Sequence, residues 1–77
     1  MNMAILYDRA EELKDDLEQY RRLEDSNNEI IIITKRLALR FYEKKQLEDV
    51  KLCFDVVKML NEENINFKKE RLRLLND

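Results

Sequence analysis

Five carboxylates near the N-terminus are the residues whose spacing most suggests chemistry. Paired carboxylates on one helix face can act as general acid and base or hold two metal ions, but the helical di-metal pattern needs Glu-x-x-His pairs. The sequence contains no His. We therefore expect a solvated acidic stripe, favoured by the helix dipole, or a surface for a basic partner. The stripe consists of Asp8, Glu11, Glu12, Asp15 and Asp16.

Cys53 is the only thiol, and it lies between Leu52 and Phe54. A catalytic thiol needs an accessible, electropositive site and usually a His partner, so we expect a buried core residue instead. One Cys without His also excludes an internal disulfide and a structural zinc site. Without Gly, no glycine-rich loop can hold a phosphate. The sequence therefore predicts no catalytic residue, no metal and no cofactor, and hence a protein that is not an enzyme.

Length and charge limit the remaining classes. The chain has 77 residues, 15 basic and 17 acidic, with a net charge of −2, which is a poor match to a general nucleic-acid binder. The longest apolar run, residues 30–33, is too short to span a bilayer, and the N-terminus lacks the basic region of a signal peptide. We expect a cytoplasmic protein with no membrane contact. Abundant Ile, Lys and Asn beside scarce Ala indicate an AT-rich genome, such as that of a low-GC bacterium or its phage.

The elements that carry these residues should all be helices, because neither Gly nor Pro interrupts the chain. A first helix is predicted over residues 2–24, and a turn over residues 25–28. Ser26 and Glu29 match a capping box there, just before an apolar run. The first helix has a heptad seam of apolar residues at spacings of three and four: Met3, Leu6, Ala10, Leu13, Leu17 and Tyr20.

Further helices are predicted over residues 28–45, 47–61 and 64–76. The last two could instead form one continuous helix, because heptad spacing runs through the Asn cluster, and Asn64 would then be a polar position that sets register. We favour the continuous helix and leave both alternatives open. The broad face expected to be buried after residue 47 consists of Val50, Cys53, Phe54, Val57, Met59 and Leu60.

The second predicted helix has more apolar surface than one stripe needs. Ile32 and Leu39 point almost opposite to its main apolar face, with Arg36 and Arg40 close by. Exposed aliphatic and Arg side chains are typical of protein interfaces, so these four residues are the predicted protein-binding site. The alternative is that another part of the monomer covers them.

The same helix has an excess of positive charge. These residues could contact the backbone of RNA or DNA, or they could pair with the acidic first helix inside an antiparallel hairpin. They are Lys35, Arg36, Arg40, Lys44 and Lys45, and a second basic patch consists of Lys68, Lys69, Arg71 and Arg73.

Two short patterns flank the connector at residues 44–46. The pattern before the connector is a Leu, a small residue and an aromatic residue. The pattern after it is an aromatic residue between two smaller ones. The connector itself lacks the Gly of the family's turn. Over residues 37–60 the chain thus resembles a tetratricopeptide-type helix hairpin, a resemblance that implies an αα-hairpin and protein–protein binding. The matching residues are Leu37, Ala38 and Phe41, then Val50, Phe54 and Val57.

The predicted fold is a single all-α domain over residues 1–77. It is a small bundle of three helices, or four if the last one breaks, with heptad packing and antiparallel hairpins. So small a core contributes only about 3–5 kcal/mol, which predicts a homodimer. The predicted function is a non-catalytic protein-interaction module, such as an adaptor, antagonist or regulator; the alternative is a small RNA- or DNA-binding regulator.

Overall fold

The protein is one long antiparallel helix hairpin. The computed structural model describes residues 2–76, in which helix α1 spans Met3–Glu43 and helix α2 spans Leu47–Asn76. Its overall dimensions are 65 × 16 × 9 Å, which means that the molecule is only two helices wide. The predicted bundle of three or four helices is therefore wrong. The absence of Gly and Pro favours helix everywhere, as expected, but the number of helices was overestimated.

The error lies at residues 25–28, which continue α1 and do not form a turn. Asn27 is buried there and donates hydrogen bonds to Asn64 and Glu63 of α2. Ser26 and Glu29 are exposed inside the helix. Residues that favour caps do so by bonding nearby backbone groups. Here the Asn27 side chain forms its hydrogen bonds with α2, so it does not compete for the backbone groups of α1 and the helix continues.

Helix α2 runs without interruption from Leu47 to Asn76. Of the two alternatives drawn from the sequence, the structure has the single helix. Asn64 is buried on the face that contacts α1, at the position where a register-setting residue was predicted. Asn61 and Asn66 are exposed, and the helix continues through the Asn cluster without a break.

A single heptad seam on each helix forms the core. On α1 the seam continues past Tyr20 and runs the whole length of the helix. Three of its later residues are polar, namely Glu24, Asn27 and Thr34. The predicted buried face of α2 is partly wrong, since Phe54 and Met59 are 62% and 55% exposed. Two helices share only one interface, and it can cover only the seam. The buried apolar residues are Ile31, Ala38, Cys53 and Leu60.

The closed end of the hairpin is a Schellman turn at the predicted connector, residues 44–46. The amide of Lys45 donates to the carbonyl of Tyr42 over 2.9 Å, and the amide of Gln46 donates to that of Phe41 over 2.8 Å. These two bonds satisfy carbonyls left open at the end of α1. Lys45 has a φ of 61°, a left-handed conformation that Gly adopts at lower cost.

At the open end, α1 extends beyond α2. The cross-helix bond between Asn27 and Asn64 places Asn76 roughly level with Asp15. Residues 3–12, which we call the N-terminal arm, therefore lie beyond the end of α2 for about 15 Å. Asn2 caps the arm by accepting a hydrogen bond from the amide of Ile5 over 2.9 Å.

Candidate functional site

A polar layer crosses the middle of the helix interface. Asn27 donates to the Asn64 side-chain oxygen over 3.1 Å and to the Glu63 carboxylate over 3.3 Å. Asn64 in turn donates to the side-chain oxygen of Asn28 over 3.0 Å. No buried side-chain nitrogen or oxygen of the described residues lacks a hydrogen-bond partner. The layer therefore avoids the cost of unpaired polar groups in a protein interior.

An ion pair and an aromatic contact lie on the open-end side of this layer. Arg71 pairs with the buried carboxylate of Glu24 at 2.9 Å. The rings of Tyr20 and Phe67 are 5.9 Å apart between centroids. These contacts order the region where α2 approaches its end, and they hold Arg71 toward α1.

One flank of the hairpin is apolar across both helices. When the seam is numbered as heptad positions a and d, Ile30, Leu37 and Val56 occupy position g, while Ile33, Leu52 and Met59 occupy position c. In this antiparallel pair the g and c positions of both helices lie on the same flank. The hydrogen bond from Asn27 to Glu63, which occupies a g position of α2, crosses the interface on that flank. Their exposed fractions run from 37% to 61%. We call these six residues the lateral apolar face.

The opposite flank carries a groove of about 710 Å³ at the open end. Its floor is apolar and is formed by Ala10, Leu13, Leu17, Leu72 and Leu75. Its rim is mainly basic, with Lys14 and Arg21 on α1 and Lys68 on α2, together with Glu18. Within residues 2–76, no carboxylate forms an ion pair with these three cations. We call this feature the open-end groove.

The four predicted protein-binding residues all lie on the outer side of α1, away from α2. Ile32 and Leu39 are 53% and 65% exposed, so the alternative that the monomer covers them is wrong. Arg36 and Arg40 are also exposed. At 100° per residue, Arg36 points directly away from α2, and Arg40 borders the lateral apolar face. Ile32 and Leu39 lie around the other side of the helix.

The five predicted nucleic-acid-binding residues are exposed but do not share one face. Lys35 lies on the flank of the open-end groove, Arg40 borders the lateral apolar face, and Lys44 and Lys45 belong to the closed-end turn. The expectation that they pair with the acidic stripe inside the hairpin is wrong. The acidic stripe and the basic residues follow one another along α1 and its C-terminal turn. About 29 Å of helix separates even their nearest members, Asp16 and Lys35.

The second predicted basic patch has partners near it. Arg71 pairs with Glu24, and Arg73 pairs with Glu70 at 2.8 Å. Lys68 lies on the rim of the open-end groove. The end of α2 thus presents its positive charge close to the last residues of the acidic stripe.

The remaining sequence candidates are Cys53 and the acidic stripe. Cys53 is buried, as predicted. In the part of the chain that the structure describes, no group of three His, Cys, Asp or Glu side chains is placed to hold a metal ion. The carboxylates of the acidic stripe are exposed. Over residues 2–76, neither helix has an apolar stretch long enough to cross a membrane.

Sequence reasoning missed the lateral apolar face and the open-end groove, since each is built from both helices. The sequence placed Ile30, Ile33 and Leu37 on the main apolar face of the second predicted helix, but the structure leaves them exposed and buries Ile31 and Ala38 against α2. The chain matches no family model, no curated protein and no solved structure in the comparisons. The tetratricopeptide resemblance of residues 37–60 therefore stays a prediction.

Proposed function

We propose that this chain is a non-catalytic protein-interaction module, acting in the cytoplasm as an adaptor, antagonist or regulator. The observation that supports the proposal is the lateral apolar face. Single apolar residues scattered over a protein surface are common, whereas a contiguous apolar patch across two helices indicates a binding site. Here Ile33, Leu37 and Val56, with their neighbours, are exposed side by side.

The exposed area of the hairpin supports the same proposal. The chain exposes 6724 Å², whereas a compact monomer of its mass, 9.5 kDa, exposes about 5,000 Å². The excess of roughly 1,700 Å² is about twice what one partner buries in a standard protein interface. The molecule has enough unburied surface for more than one contact.

The shape of the lateral apolar face favours a helix as the occupant. A third helix that lies along the groove between α1 and α2 would complete a three-helix arrangement, with aliphatic residues at spacings of three, four and seven. Arg40 borders the α1 edge of this face, while Asp55 and Glu62 lie on the outer side of α2. We therefore expect a partner helix with acidic residues along the edge that meets α1.

Capture experiments with matched variants test this proposal. Leu37→Asp places a charge on the lateral apolar face, and Leu39→Asp places the same charge on the outer side of α1. Tagged wild-type protein would be incubated with host lysate after nuclease treatment. A captured protein would then be purified and its binding to both variants measured.

Loss of binding in Leu37→Asp, with binding kept in Leu39→Asp, supports the lateral apolar face. The reverse result assigns the site to Ile32, Leu39, Arg36 and Arg40. We expect the damaging variant to weaken binding on the order of a hundredfold, because truncated or charged central anchors cost 2 kcal/mol or more. A purified partner that binds wild type and both variants equally would contradict the proposal.

The alternative proposal is a small RNA- or DNA-binding regulator. It is supported by the exposure of Lys35, Arg36, Arg40, Lys44 and Lys45 and by the lack of ion pairs to them within residues 2–76. Their distribution around the helix argues for a contact along the backbone and against base reading. Recovery of nucleic acid in the capture without nuclease, with affinity that falls steeply as salt rises, would favour this alternative.

A further inference from the structure

Two aromatic rings are exposed near the closed end, on the flank opposite the lateral apolar face. Tyr42 on α1 and Phe54 on α2 both occupy heptad position e, and they are 66% and 62% exposed. The register of the hairpin places Phe54 level with residue 37, about 8 Å from Tyr42 along the axis. Leu39 and Leu47 are exposed next to Tyr42. Such a group of large apolar side chains on one flank indicates a surface that another molecule covers.

Three lysines surround Phe54. Lys35 lies beside it on α1, while Lys51 and Lys58 lie one helical turn before and after it on the edge of α2. All three are exposed, and within residues 2–76 no carboxylate forms an ion pair with them. The Asp and Glu residues between positions 28 and 61 all occupy heptad positions f and g, which are off this flank. We call Tyr42, Phe54, Lys35, Lys51 and Lys58 the aromatic–lysine face, and its charge calls for an anionic occupant.

The layout of this face suits a strand of nucleic acid better than a third helix. A helix laid between α1 and α2 on this flank would bury the central Lys35, and removing an ionised side chain from water is costly. A single strand instead has flat bases on one side and phosphates on the other. Its bases can stack on Phe54 and Tyr42 while its phosphates meet Lys51 and Lys58, which stay in contact with water.

We propose that the aromatic–lysine face binds single-stranded nucleic acid, RNA or DNA, by base stacking on the two rings and phosphate contacts to the three lysines. Stacking and phosphate contacts carry no base code, so binding is largely independent of sequence. The inference goes beyond the protein-interaction proposal, whose lateral apolar face lies on the opposite flank. It rests on the nucleic-acid alternative for its class of ligand but assigns a different surface, which shares only Lys35 with the five residues predicted from the sequence.

Fluorescence anisotropy with labelled oligonucleotides of about twelve nucleotides tests the proposal. Oligouridine and oligothymidine should both bind, with dissociation constants of about 10–100 µM at low salt. The tighter of the two indicates whether RNA or DNA is the better ligand. A duplex of the same length should bind more weakly, because its bases are already stacked inside it. With three lysine contacts, the affinity should fall about a hundredfold between about 0.05 M and 0.5 M salt.

Two substitutions of Phe54 separate stacking from simple apolar contact. Phe54→Leu keeps an apolar side chain but removes the ring, and it should weaken binding on the order of tenfold, as the loss of one stacked base does. Phe54→Tyr keeps the ring and should bind like wild type. Because Phe54 is exposed, both variants should fold, and circular dichroism checks their helix content.

A charge-reversed pair tests the phosphate contacts. Lys51→Glu with Lys58→Glu should weaken binding at least about tenfold and flatten its salt dependence. The matched control carries Arg9→Glu and Arg22→Glu, which reverse two exposed charges of α1 outside the aromatic–lysine face. It makes the same change in net charge and should bind within about threefold of wild type, because salt screens distant charges.

Four results would overturn the proposal. If neither strand binds up to about millimolar concentration, this inference and the nucleic-acid alternative both fail. Binding that survives Phe54→Leu and the double lysine change excludes this face alone and leaves the alternative standing. Equal weakening in the control, or tighter binding of the duplex, would show attraction by overall charge. An oligoglutamate that binds as tightly as the oligonucleotides would assign the face to acidic proteins.

Discussion

Leu60 and Asn64 lie one helical turn apart on the seam of α2, and they are buried almost equally, at 7% and 9% exposure. Their layers differ in kind. Around Leu60 the interface is closed by apolar side chains, whereas Asn64 is held by hydrogen bonds to Asn27 and Asn28. Apolar burial stabilises the pair without regard to direction. The polar bonds, in contrast, are satisfied in one alignment of the helices.

The two layers show that the same seam both stabilises the hairpin and selects the register of its helices. The buried apolar residues toward the closed end stabilise the pair through burial, and the polar layer selects the register at some cost in stability. The Glu24–Arg71 pair extends the polar layer toward the open end. The half of the hairpin that bears the open-end groove is thus the half with the most directional contacts.

The largest effect should follow from weakening the apolar layer. Leu60→Ala removes a buried side chain that the thin hairpin cannot replace, and we expect it to lower the free energy of unfolding by about 2–3 kcal/mol. Urea denaturation followed by circular dichroism measures the change. Leu52→Ala, on the exposed lateral apolar face, is the matched control and should change stability by less than about 0.5 kcal/mol. Equal losses in both would mean that Leu52 is also covered, for example by a partner copy.

An intermediate effect is expected in the polar layer. Asn64→Leu leaves Asn27 with its weaker bond to Glu63 and leaves Asn28 without its partner, which should cost about 1–2 kcal/mol. The double change Asn27→Leu with Asn64→Leu should regain that loss, because two apolar groups then face each other. Its helix alignment should be less unique, seen as extra amide peaks in NMR spectra or as a new oligomeric state. A double variant with single peaks and unchanged size would show that the polar layer does not set register.

The smallest effect should come from the turn, which belongs to neither layer. Lys45→Gly removes the cost of a side chain at a left-handed residue, offset by the entropy of Gly in the unfolded chain. We expect a gain of roughly 0.5 kcal/mol in thermal or urea unfolding. Lys45→Val, with a β-branched side chain at the same φ, should destabilise by more than about 1 kcal/mol. If both variants matched wild type, the turn would not be strained.

Much of the fold follows from local features of the sequence. The part of the heptad seam from Leu13 to Tyr20, the connector at residues 44–46 and the burial of Cys53 agree with the structure, whereas the seam residues Met3, Leu6 and Ala10 are exposed. The exposure of Ile32 and Leu39 agrees with the prediction of an uncovered stripe. These features can be read from residue types and from their spacing over a few helical turns, without knowledge of contacts between distant parts of the chain.

The missed features depend on partners far away in sequence. The run from Asp25 to Asn28 has the composition of a turn, and its capping tendency is overcome only by Asn64 and Glu63, more than thirty residues later. The lateral apolar face and the open-end groove combine residues of both helices, and one helix wheel cannot show them. The register of the hairpin brings them together.

The sequence alone determined that this chain is helical, because it lacks the residues that interrupt helices and repeats apolar side chains at heptad spacing. Only the tertiary structure decided that there are two helices and where they align. Helix propensity acts within a few residues, whereas the bonds of Asn27 and Asn64 and the Glu24–Arg71 pair form across the interface.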